Sequence, residues 1–391
     1  MTIYRFTAQA LTPLHVGCGA EIDPTGFVLK EGRLVHFNPA QVIADLSGQE
    51  RDRFIEISER ADLKEIQNFL RAKVDVQRHG LARIESCESF QREFGTKSAK
   101  PGNQFRVEMM PRSAHTARAY LPGSGIKGAI RTAVVNHFAN HVAAFKAQVH
   151  EAVNAEPGAE RKARLLEEKS LNRRHSETER DLFRLIHVQD AVLPDGATRI
   201  DRAANFNPAK SGSENIQMWV ERVKSMADTP DPPAFKITVR IDDRAMSNAK
   251  VRQILGRTLG IEELMQACNR FYWKRMQAEG DAFDGRQSES SGWRAIHDCF
   301  PKGRLDGRIV PVDPAQSFWN NRAYGMHYVL LRVGRFSHFE SLSVDGLRQG
   351  FNVKTLKPII GMGATRTRCM MENHKPPMPF GWLLLRLEGS L

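Results

Sequence analysis

The chain has 391 residues, 41% hydrophobic and 26% charged, enough to bury a sizeable core as one large domain or two smaller ones. Its 57 Lys and Arg outnumber 45 Asp and Glu, and a formal charge of +12 points to polyanionic partners, nucleic acid first. No stretch reaches the roughly 18 uninterrupted apolar residues of a membrane span, and five scattered cysteines suit reduced thiols in a cytoplasmic protein better than a disulfide framework.

Residues Ile3, Arg5, Thr7 and Gln9 alternate with Tyr4, Phe6, Ala8 and Ala10, which predicts a first strand. The Met1 end shows no apolar run followed by a cleavage site, so no signal peptide is expected there. Beyond a Gly-rich turn, segments 27–30 and 33–37 flank Glu31-Gly32 and read as a hairpin. Residues 39–99 turn polar, with Phe54, Ile57, Leu63, Ile66, Phe69 and Leu70 at helical spacing, and read as a helical insertion. A short strand near 104–107 leads to a Gly-rich loop at 121–128, which runs into a helix. Residues 136–185 read as a charged helical insertion, its Arg161–Arg164 and Arg173-Arg174 clusters forming a solvated face. Segment 186–192 reads as a strand, 205–215 as a loop, and 235–241 as the cleanest strand of the chain. Residues 246–324 are mainly helical to about 277 and then polar, and strands return at 328–333 and 381–387.

Strands interrupted by helices, with a strand near the end, predict an α+β sandwich rather than a doubly wound parallel sheet. The first and last strands are expected to pair, giving one discontinuous core from 1–38, 100–135, 186–245 and 325–391.

Three elements could hold phosphate. In Pro122-Gly-Ser-Gly-Ile-Lys-Gly128, glycines at 123, 125 and 128 would permit positive φ and close approach, with Ser124 between them. Free N–H groups at the following helix start favour an anion. Lys127 and Arg131, four apart, add charge on one face. Ala129-Ile130 stands where a Walker A motif needs Lys and Ser or Thr, so nucleotide hydrolysis is disfavoured. The second loop, 361–368, sets Gly361 and Gly363 beside Arg366 and Arg368, able to grip phosphate bidentately. The third, 332–339, interleaves Arg335 with Phe336 and Phe339, a pattern that could stack bases of single-stranded RNA or simply fill a core. Signals for catalysis and metals are weak. His137 and His141 lack the Glu of a zinc peptidase helix, His297-Asp298 is isolated, and Asp242-Asp243 reads as a solvated strand end. No metal and no cofactor is expected.

The start Leu11-Thr-Pro-Leu-His-Val-Gly-Cys-Gly19, the loop 121–128 with Arg131, Ile200-Asp201-Arg202 before Glu221, and the terminal Pro379-Phe-Gly-Trp382 together resemble the RAMP superfamily of CRISPR proteins. The long spacing from Gly19 to the Pro-Gly-Ser loop, the hairpin after Phe27 and the Gly-Trp ending are most similar to the fifth Csm subunit of type III-A effector complexes. The resemblance implies an RRM-like (ferredoxin-like) core in the backbone-subunit mould, with helical insertions. It implies a non-catalytic RNA-binding role on the 3′-end side of the CRISPR RNA (crRNA), with His15 and Arg202 joining the residues above. It also implies a part in crRNA maturation and antiviral defence, with neighbouring Csm backbone subunits as partners, host nucleases acting in trimming, and no membrane. The sequence reads Gly-Ser-Gly where Gly-Ser-Ser is common, and Ala-Ala-Asn follows Arg202 in place of Thr-Gly. One alternative is catalytic: Asp23 lies where a cleaving backbone subunit carries its aspartate, and could serve a metal-dependent endoribonuclease. Asp-Pro is equally an ordinary turn starter.

Overall fold

The computed structural model describes residues 1–97, 105–173, 176–207, 217–229, 231–283, 302–305, 308–311, 327–347, 365–372 and 377–390. Two antiparallel-rich sheets organise the described residues, and the segment after the first strand reaches the second sheet through a Leu14–Val223 bridge. Among the described residues no helix is long and apolar enough to cross a membrane.

The first sheet runs in the order His327–Arg332, Trp382–Ser390, Thr2–Ala10, Phe235–Ile241, Ile186–Val188. The expected pairing of first and last strands is present, from Tyr4 opposite Ser390 to Ala10 opposite Leu383. Helix Gly123–Asn140 follows the first strand in the chain and helix Ile261–Phe283 follows Phe235–Ile241. The last strand lies beside the first, the first beside Phe235–Ile241, and that strand beside Ile186–Val188, the strand order of a ferredoxin-like core. His327–Arg332 extends it by one strand.

The predicted alternation of Thr2–Ala10 sends Phe6, Ala8 and Ala10 into the core, where small alanines let helices approach the sheet closely. Both long helices share that core: Tyr272 donates to the Ala129 carbonyl at 3.0 Å. Buried Asn269 donates to the Tyr328 carbonyl and accepts from the Leu330 amide, satisfying backbone of the edge strand. Gly381, at φ 95°, marks a crossing of three segments. Its amide donates to the Pro13 carbonyl, and a Cβ there would lie 2.5 Å from the Val333 carbonyl oxygen.

The second sheet is ordered Glu21–Ile22, Val107–Glu108, Gln217–Val223, Thr198–Phe206, Gly80–Ser86, Arg33–Phe37, Phe27–Lys30, with Arg366–Cys369 and Met378–Pro379 off its side. The predicted hairpin forms with Lys30 opposite Arg33, and Glu31 and Gly32 both take positive φ, as a two-residue turn of this hand requires. Phe27, Phe90, Phe94, Phe105 and Trp219 fill the core beneath.

Segment 39–99 is not purely helical. Helices Pro39–Ala44, Gly48–Glu59, Leu63–Lys73 and Glu88–Lys97 enclose a strand, Gly80–Ser86, that belongs to the second sheet. Ala82, Ile84 and Ser86 point inward there, but with one large apolar side chain among them and Leu81 exposed, the hydrophobic alternation is too faint to read. The helix 123–140 also crosses the expected boundary at 135/136. Segment 246–324, expected to be mainly helical, contains a paired Lys302–Leu305 and Arg308–Pro311 hairpin.

Candidate nucleic-acid interface

The expected loop 121–128 is helix from Gly123 onward. Gly123, Gly125 and Gly128 therefore have helical backbones, and positive φ is not why they are glycines. Gly123 is glycine for space: a Cβ would sit 2.2 Å from the Val188 carbonyl oxygen. Around Gly125 and Gly128 nothing lies within 4 Å of a built Cβ, so these two and exposed Ser124 present bare helix backbone to solvent. The anion at this helix start is the chain's own. Asp190 accepts from the Gly123 amide at 2.7 Å, which removes Gly123 from the phosphate-binding set.

Lys127 is half-buried on the same helix, and burial pulls its ammonium below the ordinary lysine value while nearby Asp181 opposes that shift. Arg131 does not join it at a phosphate. Its guanidinium binds Glu167 at 2.8 Å and Asp181 through two bonds of 3.0 Å. Arg173 reaches the same Glu167, so Arg131 works as a clamp holding helix Ala159–Leu171 and the segment around Asp181 to the helix 123–140. Burial raises the Asp181 and Glu167 carboxyls, but Arg131 and Arg173 together, with the Phe183 amide at Asp181, outweigh it and hold both below their ordinary values.

His15 is buried, which corrects its placement among RNA contacts. Its Nδ1 donates to the Glu221 carbonyl at 2.6 Å, its Nε2 lies 3.5 Å from the Glu108 carboxylate, and its ring stacks on Phe336. Its own carbonyl accepts from the Arg335 amide. Four separate segments of the fold meet on this one ring. The His15 bond and the Arg335 charge hold the Glu108 carboxyl below the usual carboxylate range. Arg335 itself is exposed: it pairs with Glu108, lies against Gly17, and keeps about half its side chain in solvent.

The remaining arginines turn inward. Arg202 pairs with Glu93 and covers the Trp219 ring, pinning helix Glu88–Lys97 to the sheet. Arg366 and Arg368 are buried; Arg366 pairs with Glu340 and Arg368 donates to the Pro377 carbonyl, and both cover Phe283. Hidden guanidinium groups cannot meet a phosphate, so these two belong to the core. Phe336 is buried against Phe380, leaving Phe339 as the exposed ring of that element. Gly361, Gly363, most of 205–215 and His297-Asp298 lie outside the described residues. The surface set is thus Ser124, Gly125, Lys127 and Gly128 on the helix start, and Arg335 beside the 17–20 loop.

The family model described as RAMPs, the RAMP superfamily, matches residues 7–214. The chain belongs to the RAMP superfamily. No curated protein matches it. The fold is similar to a chain from the "Cryo-EM structure of Csm-crRNA-target RNA ternary complex in type III-A CRISPR-Cas system", with TM-score 0.66 and 17% identity over 98% of this chain and 100% of that one. It is also similar to the crystal structure of T. onnurineus Csm5, with TM-score 0.57 and 17% identity over 96% and 99% of the two chains.

In this RAMP protein Asp23 forms a turn: its carboxylate accepts from the Thr25 amide and hydroxyl, and its carbonyl from the Gly26 amide. Among the described residues no three His, Cys, Asp or Glu side chains gather in a way that could hold a metal ion. Sequence reasoning missed Glu221 as a structural centre. Its buried carboxylate accepts from Arg112, Thr198 and the Met110 amide, while its carbonyl holds His15. A carboxylate inside a β-strand of otherwise ordinary pattern is the only sign of this in the sequence. It missed Asp190 as well, which looks in sequence like any strand-end acid.

Proposed function

We propose that this RAMP protein is a non-catalytic, RNA-binding subunit of a cytoplasmic type III-A Csm ribonucleoprotein. In this reading it packs beside Csm backbone subunits on the crRNA 3′-end side. There it assists maturation, with host nucleases doing the trimming, and so serves antiviral defence. The observation that carries the reading is the fold match over nearly the whole length of both Csm chains, with the family match behind it. The bare helix surface at Ser124, Gly125 and Gly128, with Lys127 behind it and Arg335 exposed elsewhere, supplies the chemistry: backbone approach plus cationic charge, suited to phosphates and indifferent to base sequence.

Phosphate-dominated binding to a single strand weakens with salt, with a logarithmic slope of roughly −0.7 per neutralised phosphate. Purified full-length chain, titrated with a labelled crRNA between low and high salt, is expected to follow that dependence, and Lys127→Ala with Arg335→Ala to flatten it. Affinity indifferent to salt overturns the reading. So does magnesium-dependent RNA cleavage that Asp23→Ala abolishes, which would make the chain a nuclease.

A further inference from the structure

A second basic feature lies away from the helix start. Strand Gly80–Ser86, the turn around 113–118 and the turn around 194–197 enclose a cleft of about 250 Å³. Arg83, Arg112 and Arg118 line it, each from a different position along the chain, with Asp195 as the only acidic residue lining it. We infer that this cleft binds the phosphate group of a nucleotide, free or within an RNA strand.

The three arginines play different parts. Arg112 is fixed: it donates to the Ala117 carbonyl at 2.7 Å and pairs with fully buried Glu221. That anchoring builds the wall, since Ala117 stands at φ 54° in a turn closed by the Ser113 and Arg118 backbones. Arg118 donates through Nε to the Leu193 carbonyl and lies 3.3 Å from Asp195. Asp195 is 89% exposed, and a pair so open to water is weak enough to exchange for a phosphate. Those contacts engage Arg118 through Nε, leaving its forked terminal nitrogens for a ligand. Arg83 is exposed, and the hydrogen bond of its guanidinium to the Val76 carbonyl is stretched to 3.5 Å.

Two guanidinium forks lining one cleft match an oxyanion with several acceptor oxygens. The rest of the lining favours a nucleotide over a bare ion. Exposed Leu81 and half-buried Pro194 offer apolar surface to a sugar or base, and the Thr116 side chain is exposed at the rim. At Gly196, φ 71°, nothing lies within 4 Å of a built Cβ, so a ligand can approach backbone there. A second cleft among the described residues, beside Asp243, Glu262 and Glu263, is acidic and repels such a ligand.

The inference does not require the chain to be a Csm subunit, because a free nucleotide would satisfy the same groups. The test uses the full chain, the double variant Arg83→Ala with Arg118→Ala, and Lys127→Ala as a control away from the cleft. Thermal unfolding checks folding, and Thr116→Glu offers a second route by adding a negative charge at an exposed position. The probes are AMP by calorimetry and a labelled single-stranded RNA by anisotropy. The expected result is roughly tenfold or greater weakening of at least one probe in both cleft variants, with AMP binding intact in Lys127→Ala. Loss confined to AMP assigns free nucleotide as the source. Loss of RNA affinity with a shallower salt slope assigns the strand. Cleft variants that bind both probes as the unmodified chain does overturn the site. If Lys127→Ala alone then weakens RNA binding, the proposed function stands without it.

Discussion

The three glycines at the start of the helix 123–140 look interchangeable in sequence, and the structure requires them to respond in opposite ways to the same added methyl. In Gly123→Ala the new Cβ falls 2.2 Å from the Val188 carbonyl oxygen and 2.8 Å from two backbone carbons. These neighbours are backbone and cannot rotate aside, so the cost is at least the roughly 1–3 kcal/mol of an overpacked core. Moving the helix away also stretches the Asp190 bond to the Gly123 amide, 2.7 Å long. Gly125→Ala and Gly128→Ala meet open space on a helical backbone. They should gain up to about 1 kcal/mol each, because alanine loses less conformational entropy in a helix. In a chain of this length 1 kcal/mol is worth about 1 °C in Tm, so paired chemical and thermal denaturation of all three variants is needed to resolve the difference. Opposite signs for position 123 and the other two support the packing described. A Gly123→Ala variant as stable as Gly128→Ala would refute it. The RNA titration adds a second axis: where a strand lies against bare backbone, Gly125→Ala and Gly128→Ala should weaken binding while raising stability.

Three further outcomes follow from the buried and half-buried polar groups. Asp181 and Glu167 are held below their ordinary values of 3.8 and 4.5 by Arg131 and Arg173, so their contribution is full above those values and fades as pH falls through the lower, folded ones. Urea midpoints taken from pH 6 to pH 3 should drop, and Arg131→Met should lower the midpoint at pH 6 and flatten that slope; an unchanged slope contradicts the clamp. His15→Ala should cost about 2–4 kcal/mol through the lost Glu221 bond and the gap beside Phe336. The folded fraction should still bind RNA with the affinity of the unmodified chain, as anisotropy on the monodisperse fraction would reveal. Arg222→Met should cost about 3–5 kcal/mol, because it removes the fully buried guanidinium that joins Asp201 and Asp228, leaving Asp201 to Arg199 and Asp228 to Ser225. Soluble yield and denaturation midpoint test this, and a neutral result would mean that the carboxylates find water.

Much of the core was legible because its signals are local and periodic. Thr2–Ala10 and Phe235–Ile241 alternate, and Glu31-Gly32 can hardly join two strands in any other way. Gly80–Ser86 was not legible, since Leu81 is exposed and two of its inward residues, Ala82 and Ser86, are small. The site was read less well, for a physical reason. Gly beside Arg looks the same in sequence whether the arginine faces solvent or a buried carboxylate. The carboxylates that claim Arg131, Arg202 and Arg366 are Asp181, Glu93 and Glu340, far off in the chain for the first two and invisible to any local pattern. Lys127 and Arg335 kept their surface places because no carboxylate encloses them completely.

The pairing of Thr2–Ala10 with Trp382–Ser390 also bears on how the protein is made. As the ribosome extends the chain, Thr2–Ala10, the central strand of its sheet, emerges long before Trp382–Ser390, and that flank has no partner until the segment around Leu385 appears. Throughout that interval its hydrogen-bonding edge and the apolar side of Phe6 stand open to other nascent chains. Closure of the sheet is thus a late, long-range event, slow by its topology. A ribosome stalled before Trp382 would leave behind a species that aggregates rather than a smaller working protein.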